Sequence, residues 1–277
     1  MRVGRHFPCV VRVLGAFVVA IGLLGCKSAP TCPASIRVDP AQALADHESR
    51  RQTWSSLRAE ARVTQWGQGG RIRGTVLMFL QQPNRVRFDV MTAVGPAAVL
   101  TSDGERFQLS DLREGTFLEG ETCPANIGRL LGISIAPEEV LLLLTGDTLV
   151  IEGAAQSMQC REGFYVVTLD GEDGGRQEIA YSIPEEDFDK PAADQRLTLR
   201  RSTQFSADGA KLWEATYEEY ADVDGRAFPM KVRFVDEVNG ADTEVRVKSV
   251  DVDPDVPPDA FTQRPAPGMT VEIATCP

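Results

Sequence analysis

The sequence predicts an α+β fold, in which an antiparallel sheet of about eleven strands is preceded by one helix and interrupted by two more. Three observations predict this class. Short segments alternate between apolar and polar residues, which is the pattern of a strand with one wet face. Gly- and Asp-containing turns separate these segments, so that successive strands follow one another in meander order. Two segments in the middle of the chain instead space their apolar residues as helices do.

The chain begins with a predicted export signal. Arg2, Arg5 and Arg12 accompany an apolar stretch that ends in Leu23-Leu24-Gly25-Cys26. A charged start, an apolar centre shorter than the ~20 residues of a membrane span and a small residue before the cut are typical of a signal peptide. The final Cys26 resembles the end of a lipobox, which predicts cleavage after residue 25 and acylation of this cysteine. An ordinary secretory signal is the alternative.

The predicted mature chain consists of a tether and one domain. Residues 26–40 carry three prolines among small residues, which is typical of a spacer, and residues 41–277 form the predicted domain. Removal of residues 1–25 leaves 252 residues with a net charge of −14. Such an acidic chain is unsuited to nucleic acid and to electrostatic docking on anionic lipid. Lys27, where inner-membrane lipoproteins of enteric bacteria carry Asp, predicts the periplasmic face of the outer membrane.

Four cysteines besides Cys26 remain after cleavage, an even number that suits disulfides in an oxidising compartment. They allow three pairings. We expect Cys32 to pair with Cys276, which would join the two termini, and Cys123 to pair with Cys160. A metal site is the alternative reading of these residues. We predict no metal, because the sequence contains no Cys-x-x-Cys spacing and the predicted domain has one histidine.

One helix and five strands are predicted before residue 124. Residues 41–56 are good helix formers that follow Pro40, a residue favoured in a first turn. Alternation then begins, and the segments Gln68-Gly69-Gly70 and Ser102-Asp103-Gly104 supply turns between strands. The five predicted strands are residues 57–66, 71–80, 84–91, 97–101 and 106–109.

The periodicity changes to that of helices after residue 124. Ile127, Leu130 and Leu131 have i, i+3, i+4 spacing, and Gly132 ends the first helix. The second helix begins at Pro137, and Gly146 lies beyond its end. Its four consecutive leucines leave it without a polar face, so we expect it to be buried on most sides or to face an apolar surface. Strands resume before a proline-rich, irregular tail. These strands are residues 164–169, 176–183, 196–202, 211–217, 229–235 and 243–252.

The sequence offers no catalytic constellation and implies no cofactor. His47 lies on a helix face that we predict to be exposed, and no Gly-x-Ser-x-Gly elbow accompanies it. Asp251, Asp253 and Asp255 have the spacing of a calcium loop, but Val256 stands where such a loop needs glycine. We therefore predict a solvated acidic turn at this point, and a protein that is not an enzyme.

The predicted elements permit two kinds of interior. The apolar helix fills a solid core, or the sheet curls into an incomplete barrel in which the helices form a lid over an apolar cavity. Apolar stripes usually indicate a core. The small or flexible Ala59, Ala61, Gly74 and Met78 instead favour room inside. The residues alone leave both interiors open.

Three stretches resemble the LolA/LolB fold of the bacterial lipoprotein-sorting pathway. The third and fourth strands of LolB and their loop are similar to Arg85-Val86-Arg87-Phe88-Asp89-Val90, Val94-Gly95-Pro96 and Leu100-Thr101-Ser102-Asp103-Gly104. LolB's lid helices are similar to the stretch from Ile127-Gly128-Arg129-Leu130-Leu131-Gly132 to Leu144-Thr145-Gly146. A hairpin of LolA-type proteins is similar to Asp222-Val223-Asp224-Gly225 with Phe228-Pro229. The resemblance spans roughly residues 41–252 and implies an incomplete antiparallel barrel with a helical lid.

The resemblance also implies a function. LolB is an outer-membrane lipoprotein that accepts lipoproteins from the periplasmic carrier LolA and inserts them into the outer membrane, without making or breaking a bond. The implied partners are thus acylated lipoproteins or lipids, a LolA-type carrier and the anchoring membrane. Val94 takes the place of the apolar residue on LolB's membrane-facing loop, where the family has the bulkier Leu. The acyl-chain cavity would be lined by residues that equally suit a solid core: Val76, Met78, Phe88, Val90, Ile127, Leu130, Leu131, Leu141 and Leu144.

Two other functions fit the same residues. In the first, the chain is a LolA-fold protein that binds a different lipid or senses envelope stress. In the second, it is a structural lipoprotein whose solid domain binds only a protein partner. The four cysteines, the acidic loop at residues 184–194 and the proline-rich tail depart from LolB.

Overall fold

The structure is a computed structural model that describes residues 32–51, 54–67, 70–151, 155–257 and 259–276. The predicted signal peptide, the predicted lipidation site Cys26 and residues 27–31 lie outside these ranges. Within them, no helix has the length and apolar character needed to cross a membrane.

Three α-helices and fourteen strands form in the described ranges. The helices are α1 (Pro40–Arg51), α2 (Pro124–Leu131) and α3 (Pro137–Thr145). The strands before α2 are β1 (Ser56–Gly67), β2 (Gly70–Gln81), β3 (Arg85–Thr92), β4 (Gly95–Ser102), β5 (Arg106–Asp111) and β6 (Thr116–Glu121). The strands after α3 are β7 (Ala155–Arg161), β8 (Phe164–Asp170), β9 (Arg176–Ser182), β10 (Thr198–Phe205), β11 (Lys211–Val223), β12 (Arg226–Asp236), β13 (Ala241–Val252) and β14 (Thr270–Ala274). Two short 3-10 helices, Glu185–Asp187 and Ala192–Asp194, lie between β9 and β10.

All described strands belong to one sheet, in the order β14-β6-β5-β4-β3-β2-β1-β13-β12-β11-β10-β9-β8-β7. Two meanders are joined where β1 pairs with β13, with Val63 opposite Val245. The sheet does not close on itself, since β14 and β7 stand at its two edges.

The predicted α+β class and antiparallel meander are confirmed. The predicted count of about eleven strands was wrong, because β6, β7 and β14 lack the clear alternation on which that count relied.

Helix α3 lies at the centre of the core. It packs against β3 and β12, which three other strands separate in the sheet, so the sheet curves around it. Val140, Leu141, Leu143 and Leu144 are buried, as the absence of a polar face predicted. Each buried leucine contributes about 1.5–3 kcal/mol. The predicted helix ends are also confirmed, since Gly132 and Gly146 adopt the left-handed conformation beyond α2 and α3.

The C-terminal tail ends in a strand that the sequence did not predict. Gln263 fixes the preceding segment to the sheet, since its side-chain nitrogen donates to the carbonyl of Val99 at 3.0 Å and its backbone nitrogen to Gln108 at 2.7 Å. β14 then pairs with β6 in parallel, the one parallel ladder of the described strands. Gly120 permits this approach, because a Cβ atom there would lie 2.0 Å from the carbonyl oxygen of Ala274.

The two disulfides are Cys32–Cys160 and Cys123–Cys276. The predicted pairing was therefore wrong. The tail does not return to the N-terminus, since β14 lies beside β6 and this brings Cys276 to the residue just before α2. The N-terminal segment instead meets β7, the opposite edge strand. Each bridge closes a loop of more than a hundred residues, for which chain entropy gives about 4–5 kcal/mol of stabilisation.

Part of the predicted tether is attached to the domain. The backbone nitrogen of Arg37 donates to the hydroxyl of Tyr165 at 2.9 Å. The Arg37 guanidinium, 6% exposed, donates to the carbonyls of Ala192 and Ala193 at 3.1 and 3.0 Å. With Cys32 in a disulfide as well, the segment from residue 32 to α1 is fixed on the domain, which corrects the prediction that residues 26–40 are a spacer throughout.

Candidate ligand-binding cavity

A cavity of about 250 Å³ lies where β1 begins and β13 ends. The end of α1, the residues after α3 and the strands β10 to β12 complete its walls. Its apolar lining comes from Trp54, Leu57, Leu199, Val223, Phe228 and Val252. Its polar lining comes from His47, Thr145, Asp147, Thr198, Tyr220 and Arg226. This combination of an apolar wall and a few polar groups is typical of small-molecule sites.

A buried pair of side chains forms one wall. His47 is 5% exposed, which corrects its predicted position on an exposed face. Its Nε2 is hydrogen-bonded to Oδ1 of Asp147, and the same carboxylate oxygen accepts the backbone N–H of Thr148 at 2.6 Å. The hydroxyl of Tyr217 donates to the backbone carbonyl of Asp147 at 2.7 Å, and burial raises the pKa of this tyrosine well above its ordinary value. These bonds fasten α1 to the end of α3 and to β11.

The sequence held one signal for this burial. Ala43 is fully buried and stands four residues before His47, so the two share a face of α1. The partner Asp147 lies one hundred residues away, and nothing local connects the two.

The guanidinium of Arg226 lies at the mouth of the cavity, beside the carboxylate of Asp253. Nη1 of Arg226 lies 3.7 Å from Oδ2 of Asp253. Oδ1 of Asp253 accepts the backbone N–H and the hydroxyl of Ser55 at 2.6 and 2.9 Å, and the backbone N–H of Ser56 at 3.2 Å. These hydrogen bonds lower the pKa of Asp253, and the bond from the Ser55 backbone has the largest effect. Asp253, which was predicted to lie in a solvated acidic turn, thus fixes the start of β1.

The predicted cavity residues lie elsewhere. None of them lines the 250 Å³ cavity. Val90 and Leu130 are partly buried against the core, and the side chain of Leu131 lies outside the described part of the structure. The others are members of the core, namely Val76, Met78, Phe88, Ile127, Leu141 and Leu144. Their assignment to an acyl-chain slot stays a prediction.

The predicted membrane-facing residue is at the tip of the β3–β4 hairpin. Val94 is 98% exposed. The turn is held by Thr92, whose hydroxyl donates to the carbonyl of Gly95 at 2.7 Å and accepts the backbone N–H of Val94 at 3.4 Å. An apolar side chain is therefore presented to solvent on a fixed turn.

The described residues do not bring together the ligands of a metal ion. No group of three or more His, Cys, Asp or Glu side chains converges among them. The calcium-like spacing of Asp251, Asp253 and Asp255 alternates along the end of β13 and beyond it, and Asp251 bonds instead to Arg58.

Comparisons with known proteins address the fold. Residues 192–265 match a family model described as that of an uncharacterized protein. A comparison with curated proteins found no match. Among solved structures, a DUF1329 family protein from Desulfovibrio piger is similar at 12% identity and a TM-score of 0.54, over 81% of this chain and 98% of that one.

Two further solved structures are similar in fold. A domain named for outer-membrane lipoprotein sorting, from Vibrio parahaemolyticus, is similar at 12% identity and a TM-score of 0.52, over 80% of this chain and 94% of that one. A LolA superfamily protein from Nitrosomonas europaea is similar at 12% identity and a TM-score of 0.50, over 81% and 97% of the two chains. At such low identity the similarity concerns the fold. The chain has the LolA-like fold, and the resemblance found in its sequence is confirmed at that level.

Proposed function

We propose that this protein is a lipid-anchored, non-catalytic binding protein of the bacterial envelope that takes up an acyl chain for transfer. The single observation that carries the proposal is the apolar-walled cavity of about 250 Å³ in a LolA-like fold. An acyl chain gains ~0.8 kcal/mol per buried CH₂ and needs no catalytic group. The names of two similar structures, one for lipoprotein sorting and one for the LolA superfamily, support a role in lipid or lipoprotein handling.

The size of the cavity limits its ligand. A ~150 Å³ cavity in another protein holds benzene, so about 250 Å³ holds on the order of ten heavy atoms. That is part of one acyl chain and much less than the several chains of a mature lipoprotein. The volume of the cavity favours a single-chain lipid in this conformation. That ligand fits the function of a LolA-fold protein that binds a lipid other than a lipoprotein.

A larger cargo requires the helices to move. Thr145 and Asp147, at the end of α3, form a wall of the cavity, while Leu141 and Leu144 of the same helix fill the core. Displacement of α3 would therefore join the cavity to the predicted slot. In this proposal the closed state holds part of one chain, and the open state receives the acylated lipoprotein that LolB-like insertion demands.

The exposed apolar residues support a membrane-facing end that includes Val94. Ile72, Val94, Leu112 and Val238 are 68%, 98%, 44% and 69% exposed. They belong to the β1–β2, β3–β4, β5–β6 and β12–β13 hairpins, whose turns lie at the same end of an antiparallel sheet. Side chains that protrude from neighbouring turns suit shallow insertion into a bilayer, whereas the acidic net charge opposes electrostatic docking.

The proposed location follows from the N-terminus. Residues 1–25 would be removed and Cys26 acylated on the periplasmic face of the outer membrane, with the two disulfides suiting that compartment. Six residue steps separate Cys26 from Cys32, a span of at most ~20 Å for an extended chain, so the anchor would hold the domain close to the membrane. A LolA-type carrier is the proposed source of cargo.

A cavity-blocking variant tests the binding proposal. Val223→Trp places a large side chain on the cavity wall, and Val271→Trp makes the same change on the exposed face of β14. We expect a fluorescent acyl probe to bind the wild-type chain and the β14 variant, and to bind the Val223 variant at least tenfold more weakly. Equal binding to all three would contradict the proposed site.

Depletion of the protein distinguishes lipoprotein sorting from the binding of another lipid, because stalled lipoproteins in the periplasm are expected only for a sorting function.

A further inference from the structure

The backbone of Arg226 is fixed beside the cavity by a tight turn. It is the first residue of β12 and pairs with Val223 across a two-residue turn. Asp224 and Gly225 in this turn both have positive φ, and the side chain of Asp222 accepts the backbone N–H of Gly225 at 3.0 Å. Such a turn fixes the register of the two strands, and with it the position of the Arg226 backbone.

One donor of Arg226 is shielded from solvent and unsatisfied. Nη1 is buried, and within the part of the chain that the structure describes it makes no hydrogen bond. The 3.7 Å to Asp253 is an ion-pair separation and too long for a hydrogen bond. Asp253 cannot move closer without loosening its bonds to Ser55 and Ser56. A buried donor left without an acceptor is costly, which favours a ligand that supplies one.

Neighbouring polar groups of the cavity wall are already bonded to the protein. The hydroxyl of Tyr220 donates to the carbonyl of Leu199 at 2.6 Å, and that of Thr145 donates to the carbonyl of Leu141 at 2.8 Å. The carboxylate of Asp147 is bonded to His47. Arg226 therefore differs from these groups in having a donor to offer.

We infer that Arg226 makes the cavity selective for a single-chain amphiphile with an anionic oxygen head, a fatty carboxylate or a phosphate monoester. This inference rests on the proposed function, since the tail would occupy the apolar wall beside Trp54, Leu57 and Phe228. A guanidinium binds carboxylate and phosphate oxygens with short, charge-assisted hydrogen bonds. Asp253 stays on its serine partners and holds the guanidinium in place, and its own negative charge keeps the selectivity modest.

The test compares three probes with the same ten-carbon tail: decanol, decanoate and decyl phosphate. The protein is residues 27–277, because the core, both disulfides and every described strand lie within them. We expect the two acids to bind the wild type roughly tenfold more tightly than decanol in titration calorimetry. Arg226→Gln should lose this preference, because the two acids should weaken far more than decanol does, while Arg226→Lys should keep part of it.

Arg58→Gln is the matched control. Arg58 lies on β1 and pairs with the exposed Asp251 outside the cavity, so its loss should leave the preference intact. Equal binding of acid and alcohol by the wild type, or a preference that survives in a folded Arg226→Gln variant, overturns the inference while the cavity proposal stands. Failure of all three probes to bind, decanol included, contradicts both. A preference for one acid over the other identifies the source of the head group.

Discussion

The imidazole of His47 is bonded to the carboxylate of Asp147, one hundred residues further along the chain. Both side chains are buried, and the bond joins the helix that enters the domain to the end of the helix at its centre. Because the pair also forms a wall of the cavity, the stability of the fold and the shape of the site are connected at this point.

Loss of His47 should destabilise the domain. His47→Ala leaves the buried Asp147 carboxylate without one of its partners, and we expect the free energy of unfolding to fall by roughly 1–3 kcal/mol. Urea denaturation of residues 27–277 measures it. Glu48→Ala, at the exposed next position of α1, is the control and should change stability by less than ~0.5 kcal/mol. Equal midpoints for the two variants would mean that the pair is not stabilising.

Asp187 should make stability depend on acid pH. Its carboxylate is fully buried and accepts hydrogen bonds from Arg196, and it pairs with Lys190 at 2.6 Å. The Arg196 guanidinium, above all, holds the pKa of Asp187 far below its ordinary value. The folded state therefore binds this proton more weakly than the unfolded state does. The stabilisation is complete above the unfolded pKa of ~3.9 and is lost as pH falls below it.

Thermal unfolding between pH 6 and pH 2 measures this dependence. We expect Asp187→Asn to be less stable than the wild type at pH 6, with a difference that shrinks towards pH 2. Asp189→Asn removes an exposed carboxylate two residues away and should retain the wild-type slope. A wild-type slope in Asp187→Asn would contradict the assignment.

Non-reducing peptide mapping should recover Cys32 joined to Cys160 and Cys123 joined to Cys276. Detection of a Cys32–Cys276 peptide would instead mean that the tail returns to the N-terminus and that β14 does not pair with β6. Cys276→Ser with Cys123→Ser should lower the free energy of unfolding by about 2–5 kcal/mol, because the long loop is no longer closed in the unfolded chain.

The four hairpin tips should bind membranes through apolar contact. Residues 27–277, without the lipid anchor, are expected to associate weakly with zwitterionic vesicles and to be insensitive to salt. Replacement of Ile72, Val94, Leu112 and Val238 by Ser should abolish the association. The control replaces Ile36 and Val38, which are exposed on the N-terminal segment, by Ser. Binding that persists in the four-site variant would remove the membrane-facing role of this end.

Local patterns predicted most of the fold. Alternation predicted the two meanders, and Gly132, Pro137 and Gly146 predicted the limits of α2 and α3, because turns and caps depend on neighbouring residues. β14 was not predicted, because its parallel partner β6 lies about 150 residues away and its own five residues include exposed apolar side chains. The disulfides were mispaired for the same reason, since their geometry depends on β14.

The candidate site was harder to predict than the fold. The leucines of α3 were correctly expected to be buried. Which apolar residues line a cavity instead of filling the core depends on packing between distant elements. The cavity lies instead among Leu57, Val223 and Val252, where strand ends converge. Asp253 and Arg226 are 27 residues apart in the sequence, and only the folded sheet brings them together.

Native mass spectrometry of residues 27–277, produced in an oxidising periplasm and followed by organic extraction, tests the central claim that the interior holds an acyl chain. The account predicts a bound fatty acid or single-chain lipid on a fraction of the molecules, lost in Val223→Trp and retained in Val271→Trp. A clean apo mass, together with failure of added acyl probes to bind, would contradict it and leave an envelope protein whose partner must be sought by crosslinking.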